Sequence, residues 1–418
     1  MTEQVASPFR IIDIEELGFD RGAHLLIKRS LEGLAVGERL GVRGRDPALA
    51  THLRGWCRAQ GHDLIWPDLV PENPKTSAAE SSPFIAWIVR GSAATSRWRG
   101  AEQAGLPDPF ISGAVSDHPP ATWGLAARGA RIEAGGPEFF FGLNSKAQVW
   151  AEGLPRLYAQ AAAAQWNPAT AINWDEPFEI APEIETAVVQ VMTYLIENEN
   201  AALLVPARFI AQVHPHFREV MQLLAIQVAD EARHVEVFTR RATLRGGELG
   251  LSTVGGQASL KTLLDEPDFT LSSFLLSVLG EGTFLNLLNF LQRHGPDPVT
   301  RRVAQLAAQD EARHVAFGMG HLLYQISKDA STLGRLATAV DRRHQALAQT
   351  AGLNEEVFDA LILLAAGDWT PERITSGFSK VQRLKEEMDA DRRARLIKLG
   401  FPPDEAAAVS ALHTRNFM

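Results

Sequence analysis

From about residue 151 onward, apolar positions recur at three- and four-residue intervals almost without a break, which is the period of amphipathic helices. The first run reaches Pro215, and Pro206 inside it predicts a kink. A second, from Pro215 through Arg245, stops at Gly246-Gly247. A third extends from about 268 to His294, before Gly295-Pro296, and a fourth from about 298 to 327. Four long, mostly apolar-striped helices predict a four-helix bundle, placed here over 151–345. Further helical patterns around 354–366 and 371–413 read as a C-terminal extension over 346–418, in which RLKEEMDADRRARLIKL forms a solvated, charge-laced face.

The first part of the chain has a different texture. Strand-like RIIDIEEL precedes helical HLLIKRSLEGL, then strand-like ERLGVRG, helical PALATHLRGWCRAQG, DLIWPD and, after a Pro/Ser/Lys-rich loop at 71–83, FIAWIVRG. That order, β-α-β-α-β-β, predicts a small two-layer α/β domain over 1–91. Residues 92–150 are rich in Gly, Pro, Trp and Phe, show no regular period, and read as a connecting segment packed on its neighbours. The expected fold class is a multidomain α+β protein in which a small α/β domain is followed by a mostly α bundle.

Composition narrows the class of partner. A formal net charge of -9 provides no basic footprint for nucleic acid and no polybasic stretch for an anionic membrane, so a small molecule or a protein is the expected partner. A single cysteine, Cys57, excludes an internal disulfide framework and fits a reducing cytoplasm, and MTEQVASPFR has neither the basic nor the apolar region of a secretory signal. Residues 269–292 are apolar for long enough to cross a bilayer, but Glu281 sits in their middle; a bundle that points this carboxylate at a metal accounts for it without a membrane.

The chemistry lies in a repeat. Asp-Glu-Ala-Arg-His occurs at 230–234 and again at 310–314, so that Glu231 and Glu311 are 80 residues apart. On a helix, Glu231 and His234 share a face, as do Glu311 and His314, and each pair can present one oxygen and one imidazole to the same ion. Such pairs need two further carboxylates to complete a dinuclear site. The third helix supplies Glu281, 30 residues before Glu311. The first helix offers Glu197 and Glu199; Glu199 is the choice here, since its spacing of 32 to Glu231 is the nearer to 30 and its neighbours Asn198 and Asn200 parallel Gly280 and Gly282. Asp230 and Asp310 are placed to accept an imidazole N–H from the opposite half, with Arg233 and Arg313 pairing to them. His214, His216 and His294 flank helix ends, where capping suffices, and His321 reads as a satisfied core histidine.

This arrangement resembles the ferritin-like di-iron carboxylate superfamily over residues 151 to about 330, and the doubled motif is most like its monooxygenases. LYAQAAAAQWNPATAINWDEP also resembles the Trp-containing lead-in of reductase-type members. The resemblance implies two iron ions held by Glu199, Glu231, His234, Glu281, Glu311 and His314, with dioxygen as co-substrate. Phe238 stands where radical-bearing subunits carry tyrosine, Ala307 where some N-oxygenases carry a third histidine, and Leu285 where hydroxylases carry threonine. The first domain resembles the TusA-like sulfur carriers through GERLGVRGRDPALATHLRGWCRAQGHDL, but Arg21-Gly22 occupies the position of the family's Cys-Pro pair. Cys57, helical and beside Trp56, reads as a buried hydrophobe.

The expected activity is therefore O2-dependent oxidation of a small organic substrate by a cytoplasmic monomer or homodimer; Leu203, Phe238, Phe284 and Phe317, within a turn of ligands, read as core residues, with the lining of a substrate pocket as the alternative. No flavin, nicotinamide or Cys-rich cluster motif is visible, so the electrons are expected from a separate reductase or ferredoxin. Two alternatives share the ligands: a di-manganese enzyme, and a non-catalytic bundle that stores iron, senses it or binds a partner.

Overall fold

Apolar residues at a four-residue interval build the small α/β unit. The computed structural model describes residues 10–66, 84–93, 97–348, 350 and 355–412; the loop read over 71–83 lies outside them. Strand β1 (Arg10–Asp13) leads to helix α1 (Ala23–Glu32), β2 (Arg39–Gly44), α2 (Leu49–Gln60), β3 (Asp63–Ile65) and β4 (Phe84–Val89). The sheet order is β1-β2-β4-β3, with β1 parallel to β2 and the other neighbours antiparallel. Ala23, Ile27 and Leu31 of α1 and Leu49, Leu53 and Cys57 of α2 are buried together with Leu40, Val42, Ala86 and Ile88. Burial pushes the Cys57 thiol up to about 12, far from the range of a reactive thiolate.

Contacts divide the chain into two units: Met1–Gln103 with Arg131–Gly136, and Ala104–Ala130 with Pro137–Met418. The division passes through the segment read as a connector, which holds a two-stranded ribbon, β5 (Glu102–Gln103) with β6 (Arg131–Ile132), and little other regular structure. Residues 355–411, read as an extension, are helices packed within the second unit.

In the second unit, helices α3 (Leu154–Ala163), α4 (Pro182–Ile210), α5 (Arg218–Ala242) and α6 (Val254–Leu264) precede α7, which spans Phe269–His294. Helices α8 (Pro298–Lys328), α9 (Thr332–Leu347), α10 (Glu355–Ala366), α11 (Pro371–Leu399) and α12 (Pro403–Ala411) follow. Side-chain caps start several of them: Asp268 accepts from Leu271 N at 2.9 Å and Asp297 from Thr300 N at 2.7 Å, each supplying an acceptor to an otherwise unpaired helical N–H. The C-terminal run read as continuous over 371–413 is broken at Gly400, whose φ of 110° ends α11 in the left-handed conformation that glycine tolerates best.

Helices α4, α5, α7 and α8 form the bundle, α4 packing along α5 and α7 along α8, while α10 and α11 cover α4 and α7. Helix α7 is long and apolar enough to cross a membrane, and 89% of its most apolar window is buried inside the protein. It is not a uniform α-helix. Phe274–Glu281 adopts π-helical geometry, which the apolar period does not announce. Two glycines let neighbours close on this segment. A Cβ on Gly318 would come 2.6 Å from Ser277 Cβ, and one on Gly282 would come 2.6 Å from Arg395 Cζ. Arg395 Nε donates to the Val278 carbonyl at 2.9 Å, satisfying an acceptor in the widened turn.

Candidate metal centre

Four carboxylates and two imidazoles converge between the bundle helices, and all are buried. Glu199 comes from α4, Glu231 and His234 from α5, Glu281 from the last π-helical position of α7, and Glu311 and His314 from α8. Their donor atoms form two overlapping groups, Glu199–Glu231–His234–Glu311 and Glu231–Glu281–Glu311–His314, each with one ligand atom per residue within 4.8 Å of the others. Glu231 and Glu311 belong to both, whereas each group has its own histidine and its own outer glutamate. The cluster is able to hold two metal ions with two shared carboxylates. Glu197, the alternative on α4, is outside both groups and only half-buried, because the helical turn directs it away from the face that carries Glu199.

The imidazoles are oriented across the pseudo-twofold. His234 Nε2 lies 3.1 Å from Asp310 Oδ2, and His314 Nε2 lies 3.3 Å from Asp230 Oδ2. A carboxylate only accepts, so each Nε2–H donates outward and each Nδ1 faces the carboxylates. His234 Nδ1 is 3.1 Å from Glu231 Oε2, and His314 Nδ1 is 3.0 Å from Glu231 Oε1. Arg233 pairs with Asp230 and, at 2.9 Å, with Asp310; Arg313 pairs with Asp310 and stands 3.9 Å from Asp230.

Side chains not singled out in the sequence complete the surroundings. Gln227, one turn before Glu231, donates to Glu281 Oε1 at 2.8 Å. Gln165 donates to Asp230 Oδ1 and the Trp166 indole to Asp310 Oδ2, both at 2.8 Å, while Arg233 lies over the Trp166 ring at 4.7 Å. The signal for Gln227 was a lone amide in an apolar stretch, four residues before a ligand. Gln165 and Trp166 follow α3 in the stretch that resembles a Trp-containing lead-in, a resemblance that does not pair them with the aspartates. His321 is a satisfied core residue, within 2.9 Å of the Trp150 carbonyl and 3.1 Å of Thr270 Oγ1. His214 Nδ1 accepts from His216 N at 3.1 Å, and His216 Nε2 accepts from Ser116 N at 2.8 Å. Phe238, Phe284 and Phe317 are buried, and Leu203 is half-buried.

The donor set carries the mark of a cation site. Glu199 Oε1, Glu281 Oε2 and both Glu311 oxygens are inaccessible to solvent yet make no hydrogen bond, an expensive arrangement for atoms that serve no ligand. Burial, followed by the charges of Glu231 and Glu311, holds the Glu199 carboxyl well above the usual range; burial and then Glu311 do the same for Glu281. Burial also opposes ionisation of Glu231, but the two imidazoles outweigh it and hold that carboxyl low. Burial disfavours charge on His234 and His314 too, yet their carboxylate partners raise both well above an ordinary histidine. Two divalent cations would supply the four positive charges that four ionised glutamates and two neutral imidazoles require, displacing the protons.

Because Gln227 holds one Glu281 oxygen, Gln227→Leu is expected to weaken binding of the ion on the Glu281–His314 side by about 10–100-fold, the usual effect of losing a partner of a ligand. Chelator competition would measure this, and unchanged affinity would show that Glu281 needs no such restraint.

No protein-family model matches the chain, and no curated protein matches it. Among solved structures it is similar to a variant of an R2-like ligand-binding oxidase with an aerobically reconstituted Mn/Fe cofactor, at 17% identity over 60% of this chain and 94% of that one, with a TM-score of 0.45. A second variant, with an Fe/Fe cofactor, matches at 16% identity over the same shares with a TM-score of 0.45. The R2-like ligand-binding oxidase from Sulfolobus acidocaldarius matches at 14% identity over 61% of this chain and 94% of that one, with a TM-score of 0.44.

Proposed function

We propose that the protein is a ferritin-like, non-haem di-iron oxidase or oxygenase that uses dioxygen to oxidise a small organic substrate, with electrons from a separate donor protein. The observation that carries this reading is the pair of ligand groups sharing Glu231 and Glu311. When bound, a pair of redox-active ions supplies the electrons that dioxygen needs to oxidise an organic bond.

The chain's own residues prepare that chemistry. Glu231 and Glu311 fix the spacing of the two positions, Glu199 and Glu281 close the outer sides, and Asp310 and Asp230 hold the imidazole tautomers that leave Nδ1 as donor. Arg233 and Arg313 balance the charge of those aspartates, so the shell outside the ligands adds no net charge. Phe238, beside His234 at a ring separation of 6.1 Å, helps keep water from the site and is itself no phenol. Manganese at one or both positions suits the same donors.

The α/β unit, with strand and helix order like that of the TusA-like carriers, is proposed to act without a persulfide, since Arg21-Gly22 replaces the Cys-Pro pair and Cys57 is buried. With one such thiol, a cytoplasmic setting suits the chain.

The test is metal analysis of the purified protein followed by oxygen-electrode measurements on the reduced form. Two iron ions per chain and rapid dioxygen consumption are expected. A reduced, fully loaded protein that leaves dioxygen untouched, with or without candidate substrates, would contradict the proposal.

A further inference from the structure

Away from the metal cluster, a buried arginine lacks a counter-ion. Arg343 on α9 is 7% exposed; its Nε donates to Thr262 Oγ1 at 2.7 Å and its Nη2 to Ser259 Oγ at 2.9 Å. Both acceptors are neutral hydroxyls, and among the described residues no carboxylate pairs with it. Two other buried arginines of this unit are matched, Arg128 with Glu219 and Arg241 with Glu185 and Asp297, whereas Arg392 also meets only hydroxyls, those of Ser410 and Thr283, but has no part in the cavity that Arg343 lines. A guanidinium withdrawn from water without an anion is costly, and here burial lowers its pKa to about 10, with the Tyr194 phenol acting in the opposite sense.

Arg343 lines a cavity of about 340 Å³ between α6, α7 and α9. Leu275, Pro267, Ala339 and Ala346 give it apolar walls. The two acids at its edge already have cations, Glu266 with Arg342 and Asp265 with Lys261, so the charge left unmatched in the lining is that of Arg343. A dianion such as phosphate would meet one guanidinium with two of its N–H groups committed, leaving one of its charges unmatched. A single carboxylate on an apolar body matches both the charge and the walls, and the volume is that of a small-molecule site.

We propose that this cavity is a binding site for a small monocarboxylate, with the carboxylate paired to Arg343 and its apolar part against Leu275 and Ala339. It is separate from the metal cluster, to which α9 contributes no ligand. One wall residue, Leu275, belongs to the π-helical segment that ends in Glu281.

The experiment uses the full chain as purified and follows its melting temperature with hexanoate, hexanamide, hexylamine and inorganic phosphate. Hexanoate is expected to give a saturable stabilisation, and the other three little or none. Arg343→Met should raise the apparent Kd for hexanoate at least about tenfold. Ala346→Phe narrows the mouth from an exposed position and keeps the arginine, so it should weaken hexanoate binding with an unchanged ligand-free melting temperature; this holds the proposal testable if Arg343→Met folds poorly. Phosphate stabilising as well as hexanoate, or hexanoate binding unchanged in both variants, would overturn the assignment. So would a hexanoate response that survives Arg343→Met but disappears in Glu281→Ala, since the carboxylate would then sit at the metal cluster.

Discussion

Glu231→Ala is expected to remove both metal ions, while Glu199→Ala or Glu281→Ala removes one. Glu231 belongs to both ligand groups, so its loss leaves each position with three of its four protein donors and removes a carboxylate that holds the ions together. Glu199 and Glu281 each serve one group, with His234 and His314 respectively. Plasma emission analysis after dialysis should therefore find about no bound iron in the first variant and about one equivalent in each of the others. Retention of two equivalents by Glu231→Ala would remove the shared-carboxylate description. The outer-glutamate variants carry a second, opposite expectation. Burial and the neighbouring carboxylates oppose the charge of Glu199 and of Glu281, so replacing either should leave the metal-free protein as stable as before or more so, while reducing the stabilisation that metal confers.

The largest loss of stability from a residue outside the site is expected for Asp297→Ala. Asp297 is fully buried, accepts from Arg241 at 2.7 Å, caps α8 through Thr300 N at 2.7 Å and accepts from Thr300 Oγ1 at 2.6 Å. Arg241 is itself fully buried and also pairs with Glu185. Removing one partner of such a buried network costs about 3–5 kcal/mol, because Arg241 then keeps Glu185 alone as counter-ion without regaining water, and the cap is lost as well. Urea denaturation would show this as a lower midpoint at unchanged slope. Adding Arg241→Met should cost less than it does in the parent protein, since the two residues share one network. A loss below about 1 kcal/mol for the single variant would mean that the network contributes little beyond the cap.

Much of the bundle was legible because its signals are local. The apolar period and the Gly246-Gly247 and Gly295-Pro296 stops act within a turn or two, so a linear reading recovers the long helices. The repeated pentapeptide was legible for the same reason, since Glu and His three apart must share a helical face. The π-helical turn in α7 left no such trace. It depends on contacts across the bundle, including Arg395, which is 117 residues from the Val278 carbonyl it binds. Gln165 and Trp166 reach Asp230 and Asp310 across 65 and 144 residues, distances over which one sequence carries no pairing information.

The sequence by itself thus determined which helices carry the acids and imidazoles, and that each Glu-His pair faces one way, because helical periodicity is set by the backbone. Only the tertiary structure decided which carboxylates are shared, that Gln227 holds Glu281, and that Gln165 and Trp166 reach the two aspartates. Those are relations between helices, set by how side chains from distant segments pack into one small volume. The unmatched charge of Arg343 belongs to the same kind: its residue type was visible from the start, but the lack of a counter-ion is a property of the packed interior.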